Sequence, residues 1–305
     1  DIVREHPDRF EVSVLTARRN WEMLARQAIA CDAASVVIAD TDCYPRLKEA
    51  LAAHPIKVYA GAEAIAQVVQ GDVDVVVNAL VGYAGLSPTV AALEAGKKVA
   101  LANKESLVVG GRNVMRLSAE KHAPILPIDS EHSAIFQSLV GEVDSATLVN
   151  KGFEVTEAHR LFGVPADRSE VVIHPQSIVH SLVEFGDGAL KAQLGAPDMR
   201  TPISYALTFP DRAPRPQETF RLTDHPVLAF AEVDRTKYPA LDLAYDCLAR
   251  GGTAACTMNG ANEVAVEAFL TRKCGYPDIV GSIEFALRRA GFVAEPPLDD
   301  YAAAD

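Results

Sequence analysis

The sequence has few cysteines, a deficit of basic residues and no long apolar run. Its five cysteines are scattered and form no CxxC pair, so neither a disulfide framework nor a structural zinc site is expected, and a reducing compartment is the simplest setting. No run approaches the roughly 20 apolar residues of a membrane span, and no signal peptide is visible. The formal net charge of −12 argues against nucleic acid and anionic membranes as partners, because both require a basic surface. An anionic ligand must therefore meet a local cluster of basic residues.

Short β-branched runs alternate with segments of helical period from residue 10 to residue 129. The runs are apolar almost throughout: FEVSVLTA, SVVIAD, IKVYAG, DVDVVVNAL, KKVALAN and PILPID. Such strands are typical of a parallel sheet covered on both faces. Ser87 as cap, Pro88 at the first helical position and Gly96 as the stop predict one of the intervening helices. We therefore predict a doubly wound α/β domain.

The pattern changes beyond residue 129. A helical stretch over about 146–162 precedes two predicted strands, EVVIHPQSIVHSLVEF and ALKAQLG, which a GDG turn separates. A proline-rich stretch then predicts a surface connection, and three helix-period segments follow it. We divide the chain into an α/β domain, an α+β domain, a linker and a small helical domain, with boundaries at 1–128, 129–209, 210–238 and 239–305.

A basic pair follows the first predicted strand. Arg18, Arg19 and Asn20 stand where a dinucleotide-binding sheet meets the adenosine ribose, and basic residues there accept the 2′-phosphate of NADP. The pair therefore favours NADPH over NADH. A solvated basic pair at a strand end is the alternative.

A polar cluster ends the strand in ALANKES. Asn103, Lys104, Glu105 and Ser106 follow it directly. Ligands of open α/β sheets bind beyond the carboxyl ends of the strands, so these side chains are well placed for a cofactor or substrate. An ordinary solvated loop would have a similar composition.

Two acids follow the strand in PILPIDSEHSAIFQ. Asp129 and Glu131 are two residues apart, so in extended geometry both carboxylates face one side. Such a pair repels unless a cation neutralises it, and carboxylate oxygens favour Mg²⁺ or Mn²⁺. A capping Asp and an exposed Glu at a helix start are the alternative.

A third carboxylate lies in DSATLVNKGFEV. On a helix, Asn150, Lys151 and Glu154 share one face. A carboxylate beside an amide and an ammonium suits a metal-bound, phosphorylated polyol. An i,i+3 ion pair on the surface is the commoner alternative.

Taken together, these motifs resemble the 1-deoxy-D-xylulose 5-phosphate reductoisomerase family over nearly the whole chain. The motifs occur in family order: ALANKESLV, PIDSEHSAIFQSL, DSATLVNKGFEV, IHPQSIVHSLVEF, APDMRTPISYAL and NGANEVAVEAFL. The resemblance implies a Rossmann-like NADP-binding domain, an α+β catalytic domain and a helical C-terminal domain. It also implies a homodimer in a bacterial cytoplasm, or in a plastid if a transit peptide has been removed.

The resemblance also implies an activity and a role for each matched residue. The activity is NADPH-dependent isomerisation and reduction of 1-deoxy-D-xylulose 5-phosphate, a sugar phosphate, with one divalent cation (Mg²⁺, Mn²⁺ or Co²⁺). The implied metal ligands are Asp129, Glu131 and Glu154, which with Lys104 form the catalytic set. The implied substrate contacts are these two glutamates and Lys104, with Ser130, Ser145, Asn150, Lys151, His180 and Met199. The implied NADPH contacts are Arg18, Arg19, Asn20, Asn103 and Glu105, and the histidines expected to be structural are His132, His159 and His174.

The sequence departs from the family pattern in two segments. The family begins with a strand and a GxTGSIG-type turn, which we do not find, so we expect the natural N-terminus to be missing. Between Glu142 and Val143 the family has a further strand, an ASGGPFR motif and a loop with HPNWxMG; we expect these residues to be absent from the sequence rather than deleted from the protein. Gly260 stands where alanine is more usual. A non-catalytic paralogue and a different NADP oxidoreductase remain as alternatives.

Overall fold

The structure is a computed structural model that describes residues 2–128, 147–214 and 220–305. After a short helix α1 (Ile2–Glu5), three strands form a parallel sheet in the order β1 (Val14–Ala17), β2 (Ser35–Ile38) and β3 (Lys57–Ala60). The helices that accompany them are α2 (Trp21–Ala30), α3 (Tyr44–Ala50) and α4 (Ala62–Val68). This part of the chain confirms the predicted β-α alternation.

A second parallel sheet follows. Its order is β4 (Val75–Asn78), β5 (Lys98–Leu101) and β6 (Ile125–Pro127), and its helices are α5 (Leu86–Glu94) and α6 (Glu105–Lys121). The last three residues of β5 are fully buried, as expected of a strand covered on both faces. Within the described ranges, the six strands form two three-stranded sheets rather than one continuous sheet.

Helix α5 begins one residue before the predicted cap. Its N-cap is Gly85, and Ser87 and Pro88 lie inside the first turn. Gly96 follows the end of the helix with φ +71°, which glycine adopts at little cost. The stop is therefore where the sequence predicts it, and the start is earlier.

Helix α7 (Val149–Phe162) is buried along most of its length and packs against α6. Gly152 lies so close to a neighbouring helix that a Cβ there would be 2.3 Å from the Cβ of Ala244. Gly163, with φ +66°, follows the last residue of the helix. The glycines thus set both how closely α7 packs and where it ends.

The next segment combines a hairpin with a short two-stranded sheet. Strands β8 (Val179–Glu184) and β9 (Leu190–Leu194) pair antiparallel, and α8 (Arg200–Thr208) follows them. In the stretch predicted to be a linker, β10 (Ala231–Glu232) pairs antiparallel with β7 (Val172–Ile173). The predicted linker therefore contains a strand that pairs with the preceding domain. A strand of two residues is too short to show an alternation of apolar and polar residues, so the sequence does not predict it.

Four helices complete the chain: α9 (Pro239–Arg250), α10 (Ala254–Leu270), α11 (Tyr276–Arg289) and α12 (Leu298–Ala304). The first three match the predicted segments, but α10 starts seven residues before the predicted Ala261. Its first two turns are buried on all sides, so they lack the polar face that makes a helix recognisable. Helix α12 was not predicted. In the described parts of the chain, no helix is both long and apolar enough to cross a membrane.

Candidate active site

Four polar side chains from α6 and α7 form one connected network. Lys104, directly before α6, donates from Nζ to Oδ1 of Asn150, and its Nζ lies 3.7 Å from Oε1 of Glu154. Asn150 donates from Nδ2 to the same Glu154 oxygen at 2.7 Å. Lys151 forms an ion pair with Oε2 of Glu154. Both oxygens of one carboxylate are thus engaged by residues from two helices.

This network is buried and carries a net positive charge. The side chains of Glu154, Lys151 and Lys104 are 5%, 10% and 16% exposed. Two ammonium groups face one carboxylate, so the network has one positive charge in excess within a chain of net charge −12. Poor solvation strengthens the attraction for a further anion. A surface i,i+3 pair, the alternative open at the sequence level, does not describe this arrangement.

The start of α7 is set by backbone conformation and apolar packing. Leu148 precedes the helix with φ +59°, a left-handed conformation that costs free energy in a non-glycine residue. Val149 and Phe153 are buried in one apolar cluster with α9, α10 and α11. Packing on one face of α7 therefore directs Asn150 and Glu154 towards α6.

Asn103 lies inside the protein at the carboxyl end of β5. It is 1% exposed, and its Nδ2 donates to the carbonyls of Leu80 and Gly82 and to Oε2 of Glu105, at 2.8, 3.0 and 2.7 Å. Its Oδ1 accepts from the backbone and hydroxyl of Ser106. Asn103 thereby ties the loop after β4 to the start of α6.

Glu105 and Gly85 also hold the loop after β4, and together with Asn103 we call these residues the loop anchor. Glu105 accepts from the backbone N–H of Gly82 at 3.1 Å, and burial raises the pKa of its carboxyl. A Cβ at Gly85 would lie 2.2 Å from Oδ1 of Asn103, so glycine is required there by space. Asn78, at the end of β4, donates to the Gly85 carbonyl at 2.8 Å. Sequence analysis missed Asn78 and Gly85, although a polar residue at a strand end was an available signal for Asn78.

Arg18, Arg19 and Asn20 are exposed beyond the end of β1. Asn20 caps α2 by accepting from the N–H of Met23. Arg19 Nε lies 2.6 Å from a carboxylate oxygen of Asp40, beyond the end of β2. A hydrogen bond from the Asp42 backbone and another from Arg19 lower the pKa of Asp40. Arg18 forms no ion pair within the described ranges, so its guanidinium is available to an anion at this sheet edge.

The remaining predicted residues fall into two groups. His180 lies in β8, buried, with Nε2 3.1 Å from the Gly195 carbonyl, and Met199 lies directly before α8, partly exposed. His159 and His174 each have Nδ1 within 2.9 Å of a backbone carbonyl, in agreement with a structural role. Outside the described residues lie the junction of residues 142 and 143 and five predicted residues: Asp129, Ser130, Glu131, His132 and Ser145. Among the residues that are described, no three His, Cys, Asp or Glu side chains come together as a metal site.

Two family models match the chain. One is described as 1-deoxy-D-xylulose 5-phosphate reductoisomerase and matches residues 1–111. The other is described as the DXP reductoisomerase C-terminal domain and matches residues 194–305. Together they cover more than half of the chain.

Curated relatives carry the same name. The 1-deoxy-D-xylulose 5-phosphate reductoisomerase of Bacteroides thetaiotaomicron is 44% identical over 351 aligned positions, which span 100% of this chain and 90% of the relative. That of Porphyromonas gingivalis is 45% identical and covers 92% of this chain and 84% of its own length. The alignment of 351 positions exceeds the 305 residues of the chain by 46, as an absent internal segment predicts. The position of that segment after Glu142 stays a prediction.

Solved structures of the same family superpose closely on this chain. The Zymomonas mobilis 1-deoxy-D-xylulose 5-phosphate reductoisomerase in complex with NADPH superposes with a TM-score of 0.93 at 38% identity, over 100% of this chain and 91% of that one. A DOX-P reductoisomerase in complex with NADPH, fosmidomycin and magnesium superposes with a TM-score of 0.90 at 34% identity, over 94% and 85% of the two chains. The family and fold predicted from the motifs are confirmed, and the chain belongs to the 1-deoxy-D-xylulose 5-phosphate reductoisomerase family.

Proposed function

We propose that this protein catalyses the NADPH-dependent isomerisation and reduction of 1-deoxy-D-xylulose 5-phosphate to 2-C-methyl-D-erythritol 4-phosphate, in the non-mevalonate isoprenoid pathway. The observation that carries the proposal is the buried network of Lys104, Asn150, Lys151 and Glu154. It combines a carboxylate for a cation with two ammonium groups for anionic oxygens. The related structures that contain NADPH and magnesium support both cofactors.

The described part of the site fits a divalent cation. Glu154 offers hard oxygen donors, the type that Mg²⁺, Mn²⁺ and Co²⁺ accept, and we propose Asp129 and Glu131 as the other two ligands. When bound, the cation would polarise the carbonyl and hydroxyl oxygens of the substrate. A structure with Mn²⁺ should place one ion at roughly 2.0–2.3 Å from carboxylate oxygens of all three residues; three carboxylates far apart would refute this assignment.

The lysines have separate tasks in this proposal. Lys151 neutralises Glu154 in the free protein and is placed to contact an anionic substrate oxygen as the carboxylate takes up a cation. Lys104 keeps its ammonium beside the Asn150 amide, where it can donate to oxygen atoms on which negative charge develops. Exclusion of water from this buried network strengthens both interactions. We propose Ser130, Ser145, His180 and Met199 as further residues of the substrate site.

The cofactor would lie along the carboxyl ends of the strands. We propose that Arg18 and Arg19 contact the 2′-phosphate of NADPH, with Asn20 beside them. Arg19 would do so from its ion pair with Asp40, which fixes the direction of its guanidinium. Since Asn103 is buried, we propose that its contribution, like that of Glu105, is to hold the loop over residues 80–82 in shape for the cofactor.

The decisive assay follows NADPH oxidation at 340 nm with 1-deoxy-D-xylulose 5-phosphate and Mg²⁺, using protein expressed from its complete reading frame. Glu154→Gln should lower kcat/KM on the order of 10²–10³-fold, because it removes a charge from the reacting centre. Glu120→Gln on the exposed side of α6 is the matched control and should leave the rate unchanged. No substrate-dependent oxidation would favour the non-catalytic paralogue. Oxidation with other carbonyl substrates only would favour a different NADP oxidoreductase.

We also propose that the protein is a homodimer. The β8–β9 hairpin exposes apolar side chains, with Phe185 and Leu190 at 51% and 65% exposure, and a two-stranded hairpin alone is only marginally stable. A second copy of the chain is the occupant that this surface favours. Sedimentation should give a dimer for the unchanged protein and a monomer for Leu190→Glu; a dimer in both would contradict this interface.

The domain division and the location complete the proposal. We retain boundaries at 1–128, 129–209, 210–238 and 239–305, and separate apolar clusters around the two sheets and around α9–α11 support several cores. Because Val149 and Phe153 belong to the cluster of α9–α11, we expect α7 to unfold together with the C-terminal helices. The relatives described above are bacterial, which favours a bacterial cytoplasm over a plastid.

A further inference from the structure

A second polar pocket lies beside the middle of α6 and the C-terminal end of α7, where residues 294–297 and Tyr301 also line it. Its volume is about 380 Å³, and its polar lining is Arg112, Asn113, Arg160 and Tyr301 with Glu295 at the rim. Arg112 is eight residues beyond Lys104, and Arg160 is six residues beyond Glu154. At 1.5 Å per helical residue these separations are roughly 12 and 9 Å along the helix axes. The pocket is therefore separate from the network of the candidate active site.

Arg160 is the unusual residue of this pocket. It is half-buried, its Nε atom is inaccessible to solvent, and among the described residues no hydrogen bond or ion pair involves it. A Cβ at position 111 would lie 2.9 Å from Cγ and 3.2 Å from Nε of Arg160, so Gly111 makes room for this side chain. A buried guanidinium nitrogen without an acceptor is costly, and an anion in the pocket would offset part of that cost through its charge.

The positive charge of Arg112 increases that cost. Burial, and after it the positive charge of Arg112, lowers the pKa of Arg160. Arg112 does have a carboxylate near it, but the distance to Glu295 is 3.7 Å and the Glu295 side chain is 87% exposed. Exposed pairs of this kind contribute little. Among the residues that the structure describes, two guanidiniums therefore line one pocket with a single weak, solvated counter-charge.

Neutral donors complete the lining. Tyr301 is 4% exposed, and burial raises the pKa of its phenol, so the hydroxyl keeps its proton. Asn113 donates from Nδ2 to the carbonyl of Pro296 at 3.2 Å, which holds residues 294–297 over α6. The side chain of Asn113 also hydrogen-bonds the phenol of Tyr301, and the phenol O–H adds one donor to those of the guanidiniums.

We propose that this pocket binds a small phosphorylated molecule, with Arg160 and Arg112 holding its phosphoryl group. Guanidinium groups pair with phosphate in a bidentate manner. A phosphate monoester carries about two negative charges near neutral pH and has three acceptor oxygens. It therefore matches two arginines and a hydroxyl better than a ligand with a single carboxylate would. The volume lies within the range of sites for small organic ligands, about 300–1,000 Å³.

Isothermal titration with pyrophosphate as the probe, at low ionic strength, tests the proposal. The unchanged protein should bind it, and Arg160→Gln should weaken binding at least tenfold. Arg116→Gln, an exposed arginine on α6 outside the pocket, is the matched control and should bind within twofold of the unchanged protein. Glu295→Gln should bind severalfold more tightly, because it removes the competing carboxylate. Should Arg160→Gln fail to fold, Arg112→Gln replaces it with the same expectation.

Three outcomes would overturn the proposal. One is equal binding by the unchanged protein and Arg160→Gln, and another is no binding at all. Loss of binding in Lys151→Gln but not in Arg160→Gln would place the probe in the candidate active site instead. Succinate should bind at least tenfold more weakly than pyrophosphate; equal or tighter binding would show that the pocket takes dicarboxylates and would refute the assignment to a phosphoryl group.

Discussion

Replacing Gly85 with alanine tests the loop anchor through one methyl group. The backbone at Gly85 has φ −75° and ψ −19°, which any residue adopts, so backbone strain contributes nothing. The new Cβ would lie 2.2 Å from Oδ1 and 2.3 Å from Cγ of Asn103. Both atoms belong to a buried amide with bonded neighbours on each side, so Asn103 must be displaced.

The expected loss of stability follows from that displacement. Overpacking of a buried site costs about 1–3 kcal/mol. Loss of the hydrogen bonds from Asn103 to the carbonyls of Leu80 and Gly82 adds about 1 kcal/mol each. We therefore expect Gly85→Ala to lower the free energy of unfolding by about 3–5 kcal/mol. We also expect the Michaelis constant for NADPH to rise, since the loop over residues 80–82 loses its anchor.

Urea unfolding followed by far-ultraviolet circular dichroism measures the loss. Gly281→Ala in α11 is the control, because nothing lies within 4 Å of its new Cβ and alanine in a helix interior stabilises by up to about 1 kcal/mol. In an Asn103→Ala background, where the colliding amide is absent, Gly85→Ala should cost less than about 1 kcal/mol. A loss below about 0.5 kcal/mol in the single variant, or equal losses in both backgrounds, would refute the collision as the cause.

Three further predictions concern charge and titration. Neutral residues at both Arg18 and Arg19 should raise the Michaelis constant for NADPH far more than that for NADH, since only NADPH carries the 2′-phosphate; equal losses would show that the arginines do not contact that phosphate. Burial raises the pKa of Cys247 to about 11 and that of Cys256 to about 12, so at pH 8 a disulfide reagent should spare two of the five thiols until urea is added; five reactive thiols in the folded protein would contradict this burial. Because burial raises the pKa of Glu105 in the folded state, the folded protein binds that proton more tightly than the unfolded chain, and the stability of the unchanged protein relative to Glu105→Gln should fall as the pH rises from 4 to 7; a relative stability that rises over this range would reverse the assigned sign.

Local sequence properties were sufficient for most of the elements and for the grouping of the polar side chains on α7. Apolar runs of strand length, separated by helical periods, predicted the parallel sheets because burial on both faces removes polar residues from a strand. The stop at Gly96 followed from one residue, since a positive φ is inexpensive only for glycine. Asn150, Lys151 and Glu154 could be placed on one face because helical spacing alone determines it. The start of α10 is buried on all sides and β10 has only two residues, so neither element has a periodic pattern that the sequence could reveal.

Only the tertiary structure decided which of those side chains meet and what each of them does. Lys104 and Asn150 are 46 residues apart, and their contact depends on how α6 packs against α7. Asn103, for which the family resemblance implies a contact with NADPH, is buried, and its amide donates to the loop after β4. In the sequence, Arg160 resembles any arginine near a helix end. Only the structure shows that it shares a pocket with Arg112 and Tyr301 and that its Nε has no partner among the described residues. The burial of a side chain and its distance from other charges depend on segments that are far apart in the chain, so no local pattern of residues can specify them.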